Sequence, residues 1–471
     1  MDGVGTTEPD EHGESGEPVR TSGSVRPGEG GGGASRRLLG VLAGSTLLQW
    51  LGGFAIAPIL PLYLADHDVS VAGVGVVMSA FFLGALLSQY VAGWLAGLHG
   101  HRPVLLAGLA TYAAGCAGLF VTEGVLASSA LRVLQGAGAG AFEVATLTAV
   151  AVTVAPSARG RAFSAVYTGQ LLGVTLGPVL GGFAGVEHMR ELFLAGGAAA
   201  VLASIPVLWM LPSAGGSRGV AGTAALASTT GDRTGPVRAS TEGLAAEGLA
   251  AEGMITPAAG SGRPGRPGPG RPGVTWLLTP GVVGLLLCGA SGGFAAGVYE
   301  TCWSLLMRRE GVSVELTGLT FTLFGLPYLL FAWPAGQLAD RLDRRALIVV
   351  AALLRSVALV SYPMLHSLSI IIVVGCLEAV VLAVINPAEQ SLLAQEGAAS
   401  GATGRAQGLF ATVRTATTVL AALVSGAIFA VDHRLPFVLA GLLVVVVSLS
   451  LPVLWRDLVG SARPAQAADC S

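Results

Sequence analysis

Charge is scarce in this sequence. Only 11% of its 471 residues are charged, against 52% hydrophobic, where a soluble domain carries about 25% charged residues. So thin a charged shell cannot solvate a body of this length, and lipid becomes the expected solvent for most of it. Lysine is missing altogether: all 26 basic residues are Arg. A Gly-x-x-x-x-Gly-Lys-Ser/Thr phosphate loop cannot be written without lysine. ATP is therefore not the expected energy source, which leaves an ion gradient. With 69 Gly and an Ala-rich text, the arginine bias has the look of a GC-rich bacterial genome. The net charge of −2 says little about partners.

The five cysteines include Cys116, Cys288, Cys302 and Cys376 in apolar runs and Cys470 near the end. No pair has metal-ligand spacing, so they read as small buried hydrophobes. The seven histidines all fall in tails or turns, which argues against a histidine relay inside the membrane. Residues 1–37 are polar and Gly-rich, with no pattern of basic start, short apolar run and cleavage site. The first long apolar run is expected to act as its own uncleaved insertion signal. No metal, cofactor, catalytic residue or nucleic-acid partner is expected.

What is present is hydrophobic length. A span needs roughly 20 apolar residues. Such runs occur at 38–64, 71–97, 103–122, 125–153, 163–186 and 192–211, then at 278–306, 316–339, 346–366, 368–394, 406–431 and 436–455. Irregular coil and open sheet edges cannot face lipid, so these runs predict helices. Twelve spans place both termini on one side. The turns of the opposite side hold Arg190, Arg308, Arg309 and Arg434, and nearly all other arginines lie in the even-numbered gaps and the tails. The positive-inside rule makes the arginine-rich side cytoplasmic.

Two stretches lack any pattern that packs. They are the N-terminal tail, 1–37, and a linker, 212–274, which repeats Glu242-Gly-Leu-Ala-Ala as Glu247-Gly-Leu-Ala-Ala and ends in an Arg-Pro-Gly run from Gly262. Both read as disordered cytoplasmic segments. They separate an N-terminal six-helix bundle, 38–211, from a C-terminal one, 275–456, which a cytoplasmic tail, 457–471, follows.

The turn after the second span, Gly93-Trp-Leu-Ala-Gly-Leu-His-Gly-His-Arg102, parallels the turn after the eighth, Gly336-Gln-Leu-Ala-Asp-Arg-Leu-Asp-Arg-Arg345. The two copies sit at equivalent places in the two halves, a parallel six-plus-six repeat. Here the sequence resembles the major facilitator superfamily, whose cytoplasmic signature reads Gly-x-Leu-Ala-Asp-Arg-x-Gly-Arg-Arg. The second copy, with Gly336, Asp340, Arg341, Arg344 and Arg345, fits well, although Asp343 replaces the inner glycine. The first copy keeps Gly93 and Arg102 but has Gly97 where the family has Asp. The resemblance implies that a cytoplasmic latch rests on Asp340 and its neighbours, or on different contacts. Leu131-Arg-Val-Leu-Gln-Gly-Ala-Gly-Ala-Gly140 matches the fourth-span signature. Gly173-Val-Thr-Leu-Gly-Pro-Val-Leu-Gly-Gly182 is similar to the fifth-span signature of drug:proton antiporters, with Gly173, Gly177, Pro178, Gly181 and Gly182 in place.

That fifth-span pattern also has a reading of its own. Gly169, Gly173, Gly177 and Gly181 recur every four residues, leaving one helix face without side chains, against which another helix can approach. Pro178 frees a carbonyl and can kink the helix. A generic packing face is the plainer alternative to an antiporter motif. Two other matches are formal only. Gly289-Ala-Ser-Gly-Gly293 has the hydrolase elbow spacing, and Gly136-Ala-Gly-Ala-Gly-Ala141 the dinucleotide spacing, but neither follows a strand.

Charges within spans cost at least ~2.5–3.5 kcal/mol at mid-bilayer and mark function by default. They are Arg132, Glu143, Glu300, Arg355, Glu378, Glu389 and Arg414. Arg132 and Glu143 lie eleven residues apart, close to three helical turns, and so share a face near Gln135. Glu378 and Glu389 repeat that spacing in the pseudo-symmetric helix. Two polar stripes suggest two walls of one cavity. Desolvation brings a carboxyl's titration toward neutrality, which suits a proton carrier. The expectation is that Glu143 carries the proton and Arg132 tunes it. Glu300 or Glu378 would then hold a substrate cation or a second proton. Arg355 and Arg414 read equally as bundle-stabilising partners of acids, and Glu300 and Glu389 as hydrated groups near the interfaces. Gln135, Tyr299, Trp303, Asn386 and Arg414 complete the candidate cavity. Trp50 and Tyr90 are further aromatic candidates, and Trp303 reads equally as an interface anchor.

The expected fold is all-α, with twelve transmembrane helices in two pseudo-symmetric bundles. The expected function is proton-driven antiport that exports a drug, toxin or secondary metabolite, through a monomer in the plasma membrane of a bacterium. A proton-coupled uptake permease and a non-transporting sensor or scaffold are the rival readings.

Overall fold

A computed structural model describes residues 30–122, 124–154, 159–210, 279–399 and 403–455. Twelve helices among these residues are long and apolar enough to cross a membrane. Span 1 is Gly30–Ile56 continued by Leu60–Asp66, and spans 2 to 6 are Val71–His99, His101–Val121, Val125–Thr153, Arg159–Ala184 and Met189–Met210. Spans 7 to 12 are Pro280–Arg309, Val314–Arg341, Arg344–Ser361, Leu368–Ala399, Thr403–Val431 and Leu435–Leu454. Apolar segments thus became helices within a few residues of the expected ends. The first helix starts at Gly30, although its apolar window opens only at Arg37. The tail before Gly30, the linker 212–274 and the tail after 456 lie outside the described residues.

Local chemistry sets the ends. Ser70 and Ser313 accept hydrogen bonds from the third backbone N–H that follows each, at 3.2 and 3.4 Å. Each thereby satisfies one of the free donors of a helix start. Pro58, with no N–H to give, falls where span 1 breaks between Ile56 and Leu60. Gly100 alone joins spans 2 and 3, and its φ of 84° is a turn conformation open to glycine at no steric cost.

The two halves repeat one packing plan. In the N-terminal half span 1 packs on 5 and 6, span 4 on 2 and 3, and span 3 on 6. Adding six to each number gives the pairs of the C-terminal half, 7 on 11 and 12, 10 on 8 and 9, and 9 on 12. The halves then meet through spans 2 and 11 and through spans 5 and 8, pairs that the same relation exchanges.

Span 5 makes two close backbone contacts, its four-residue glycine face with span 1 and Gly182 with span 8. A Cβ on Gly173 would lie 2.7 Å from the Trp50 Cβ, and one on Gly177 2.8 Å from the Leu51 carbonyl oxygen. Gly169 and Gly181 likewise press on the Ala43 and Ala55 carbonyls of span 1. Gly182 faces the other half, where its Cβ would meet Gly318 Cα of span 8 at 3.1 Å. Gly318 in turn lies against the Pro178 carbonyl. Backbone contact this close leaves no room for a side chain. Gly177→Leu is expected to separate spans 1 and 5 and to cost several kcal/mol, of the order set by core overpacking at ~1–3 kcal/mol and more. Loss of a monodisperse peak in size-exclusion chromatography after extraction would register it.

Links between the halves gather on the face away from the linker. Ser304 donates to the Pro58 carbonyl at 2.6 Å, and Arg308 to the Leu62 carbonyl at 3.4 Å. Arg308 also pairs with Asp66. Gly75 of span 2 lies against the backbone of Ala422 and Leu423 in span 11, and Gly426 against Val71. Nearer the middle Thr322 donates to the Thr175 carbonyl at 2.6 Å.

Candidate functional site

Between the halves lies a cavity of about 250 Å³. Its wall is mostly apolar, with Trp50, Phe54, Phe81, Trp303, Phe321 and Phe324 among its aromatic side chains. Such a wall with a few polar groups is the usual form of a small-molecule site. The polar part comes from spans 4, 7, 9, 10 and 11, which supply Arg132 and Glu143, Glu300, Arg355, Asn386, and Arg414 with Thr415.

The charges separate into committed and uncommitted groups. Glu378 is buried, 1% exposed. It accepts hydrogen bonds from Tyr299 at 2.6 Å and Tyr362 at 2.8 Å, and an ion pair from Arg355 Nε at 3.3 Å. Three donors on one carboxylate hold it firmly. It lies behind the wall and does not line the cavity among the described residues. Of the two residues expected to hold a substrate cation or a second proton, Glu300 lines the cavity, whereas the oxygens of Glu378 are engaged by Tyr299, Tyr362 and Arg355. Arg355 takes the bundle-stabilising part foreseen for it. Tyr362 was missed in the sequence, where nothing distinguishes it from other aromatics at span ends.

Arg132 is also buried and engaged. It donates to Gln135 Oε1 at 2.5 Å, and its guanidinium lies 4.5 Å from the Phe81 ring centre, a cation–π geometry. Gln135 donates on to Cys116 Sγ at 3.1 Å. Gln135 is fully buried and stands behind Arg132, not in the cavity wall. Glu300 and Arg132 both line the cavity. Eleven residues of helix place Glu143 about 16 Å from Arg132 along the axis. The shared face is real but the two side chains form no pair, so the tuning of Glu143 by Arg132 is corrected. Glu143 is half-buried in the wall and has no hydrogen-bond or ion-pair partner among the described residues.

In span 10, Asn386 donates to the Tyr328 hydroxyl at 2.9 Å. Glu389, expected near a hydrated interface, is 8% exposed and thus buried. Trp303 is 7% exposed, donates to Thr320 at 3.0 Å and meets the Tyr362 ring edge-on at 4.8 Å. It lines the cavity, and the interface-anchor alternative falls. Tyr90, at 84% exposure, lies outside the cavity and faces away from it.

The repeated turn motif contributes elsewhere. Arg102 donates to the Leu208 carbonyl at 2.7 Å, tying the start of span 3 to the end of span 6. Arg345 lies 4.0 Å from Glu396, joining spans 9 and 10. Gly93 touches Val144 of span 4 only at ordinary contact distance. Arg344 is half-buried at the start of span 9. The side chains of Asp340 and Arg341 and the surroundings of Gly336 lie outside what is described, and with them the latch expected at Asp340.

A two-fold repeated bundle of twelve spanning helices, with a mid-membrane cavity between its halves, defines a class of polytopic membrane protein. The Major Facilitator Superfamily family model matches residues 42–258 and 285–469. The chain belongs to that family. It is 31% identical to the MFS-type transporter YcaD of Escherichia coli over 153 residues, 32% of this chain and 40% of that one. The match therefore spans less than half of the relative's length. Among solved structures, a D-xylose-proton symporter superposes with a TM-score of 0.65 at 14% identity, covering 88% of this chain and 96% of the other. The human organic anion transporter TETRAN superposes at 0.55 with 21% identity, over 88% and 99%. At these identities both share the fold.

Proposed function

We propose that this protein is a proton-coupled antiporter that exports small amphipathic molecules across the plasma membrane by alternating access. The observation that carries the reading is Glu143, a carboxyl in the wall of a mid-membrane cavity with no partner among the described residues. An ionisable group in that position is costly, and packing gives no return for it. A proton carrier needs a carboxyl free to ionise on one side of the membrane and to protonate on the other. Arginine asymmetry places the linker and both termini in the cytoplasm. The face sealed by Arg308, Asp66, Gly75 and Gly426 is then the outer one. Export over uptake rests on the fifth-span glycine signature.

The test uses everted membrane vesicles holding an inside-acid gradient. Addition of an exported amphipathic compound is expected to discharge the gradient in vesicles with the protein and not in vesicles without it. Nutrient-driven proton entry in intact cells would instead establish the uptake permease.

The outer seal gives a second measurement. Asp66→Cys with Arg308→Cys, joined by a bifunctional thiol reagent, is expected to hold the outer face shut and stop transport almost completely. A reducing agent that cleaves the reagent should restore it. The surface ion pair by itself is worth only ~0–1 kcal/mol, so the paired substitution without reagent should leave most transport intact.

A further inference from the structure

We infer that the cavity takes an organic anion, whose carboxylate or similar group is seated on Arg414 and the neighbouring Thr415 hydroxyl. This inference deepens the transporter reading above and rests on it.

Three arginines line the cavity, and they differ in what they hold. Arg355 is paired with Glu378 at 3.3 Å. Arg132 donates to Gln135 at 2.5 Å and lies 4.5 Å from the Phe81 ring centre, although its Nε too is buried without a partner. Arg414 has no side-chain hydrogen bond or ion pair among the described residues, and its Nε is buried without a partner. The hydroxyl of Thr415, a residue 4% exposed, is likewise buried without a partner. Both residues belong to the cavity wall. A guanidinium offers five donors and no acceptor, and a planar anion is the group that matches them best. A buried donor left unmatched is destabilising, so two adjacent unmatched donors at one wall point to a ligand that supplies acceptors.

Glu389, buried on span 10, acts on Arg414 through space but forms no ion pair with it and does not line the cavity among the described residues. Glu143 stands at the same level: Arg414 lies eleven residues into span 11 and Glu143 ten residues before the end of span 4, both about 15 Å from the linker side. The anion seat and the free carboxyl thus share one cavity layer. The aromatic wall around Trp50, Phe54 and Phe324 suits an apolar body attached to the anion.

The experiment measures equilibrium dialysis of three matched probes, phenylbutyrate, phenylbutyramide and phenylbutylamine, against the full chain in phosphatidylcholine nanodiscs. Phenylbutyrate is expected to bind about ten-fold more tightly than the amide, as a charge-assisted hydrogen bond warrants, and more tightly still than the amine. Arg414→Gln should erase the preference, Arg414→Lys should keep part of it, and Thr415→Val should reduce it while preserving the fold. Equal binding of the three probes, preference for the amine, no binding to the wild type, or a carboxylate preference that survives Arg414→Gln would each overturn the inference. The two readings fail separately. A carboxylate preference lost in Arg414→Gln, with no proton discharge by phenylbutyrate in vesicles, would uphold the anion seat and overturn antiport.

Discussion

Glu143→Gln is expected to abolish proton-driven accumulation of substrate in everted vesicles while leaving substrate exchange in place. Glutamine keeps the shape and polarity of the side chain and removes its proton chemistry. Without a titrating group the substrate still binds, and the halves still alternate when loaded. Counterflow of labelled against unlabelled substrate should therefore persist at near wild-type rates. The gradient's effect should vanish, because one charge crossing 100 mV is worth about 2.3 kcal/mol, and that drive has no other carrier in this scheme. A loss of roughly fifty-fold in accumulation follows from that energy. Retained coupling in Glu143→Gln would move the proton to Glu300 or Glu389 and sink the assignment. Loss of exchange together with coupling would instead make Glu143 a substrate-binding residue.

The second large effect concerns stability. Glu378→Ala leaves the Arg355 guanidinium without its counter-ion, and removes the acceptor of two tyrosine hydroxyls. Breaking one side of a buried ion pair costs about 3–5 kcal/mol. Arg355→Ala strands a carboxylate instead, though Tyr299 and Tyr362 still hold it, so it should cost less. The double substitution should be less harmful than the sum of the singles, because neither charge is then left alone. Thermal unfolding of the detergent-solubilised protein reads all three. An additive double mutant would show that the pair does not act as a unit. By contrast Arg414→Gln, which removes a group with no ion pair among the described residues, should leave the unfolding midpoint nearly unchanged or raise it.

Both predictions depend on distinctions between charges that look alike in the primary structure. Glu143 and Glu378 each sit in the middle of an apolar run, and insertion cost marks both as functional. Only packing shows that one faces the cavity alone and the other is clamped behind it by residues from spans 7 and 9. Eleven-residue spacing put Arg132 and Glu143 correctly on one face, but a shared face over three turns spans about 16 Å and implies no contact. Gln135 has the same lesson at shorter range, since its side chain turns toward Cys116 of span 3 and away from the cavity. Tyr90 and Trp303 were both candidate cavity aromatics; one proved 84% exposed and the other 7%.

What the sequence determined by itself was everything local or periodic. Hydrophobic length set twelve helices, because a chain in lipid must satisfy its own backbone hydrogen bonds. The repeated turn gave the two-fold plan, and the four-residue glycine period announced a close helix contact. Tertiary structure decided the partners. It assigned the span 5 glycines to span 1 and to Gly318 of span 8, chose which charges are paired, and left Glu143 and Arg414 facing one cavity. Those outcomes depend on side chains from helices distant in the chain, whose approach is governed by packing across the bundle and has no signature in any one segment.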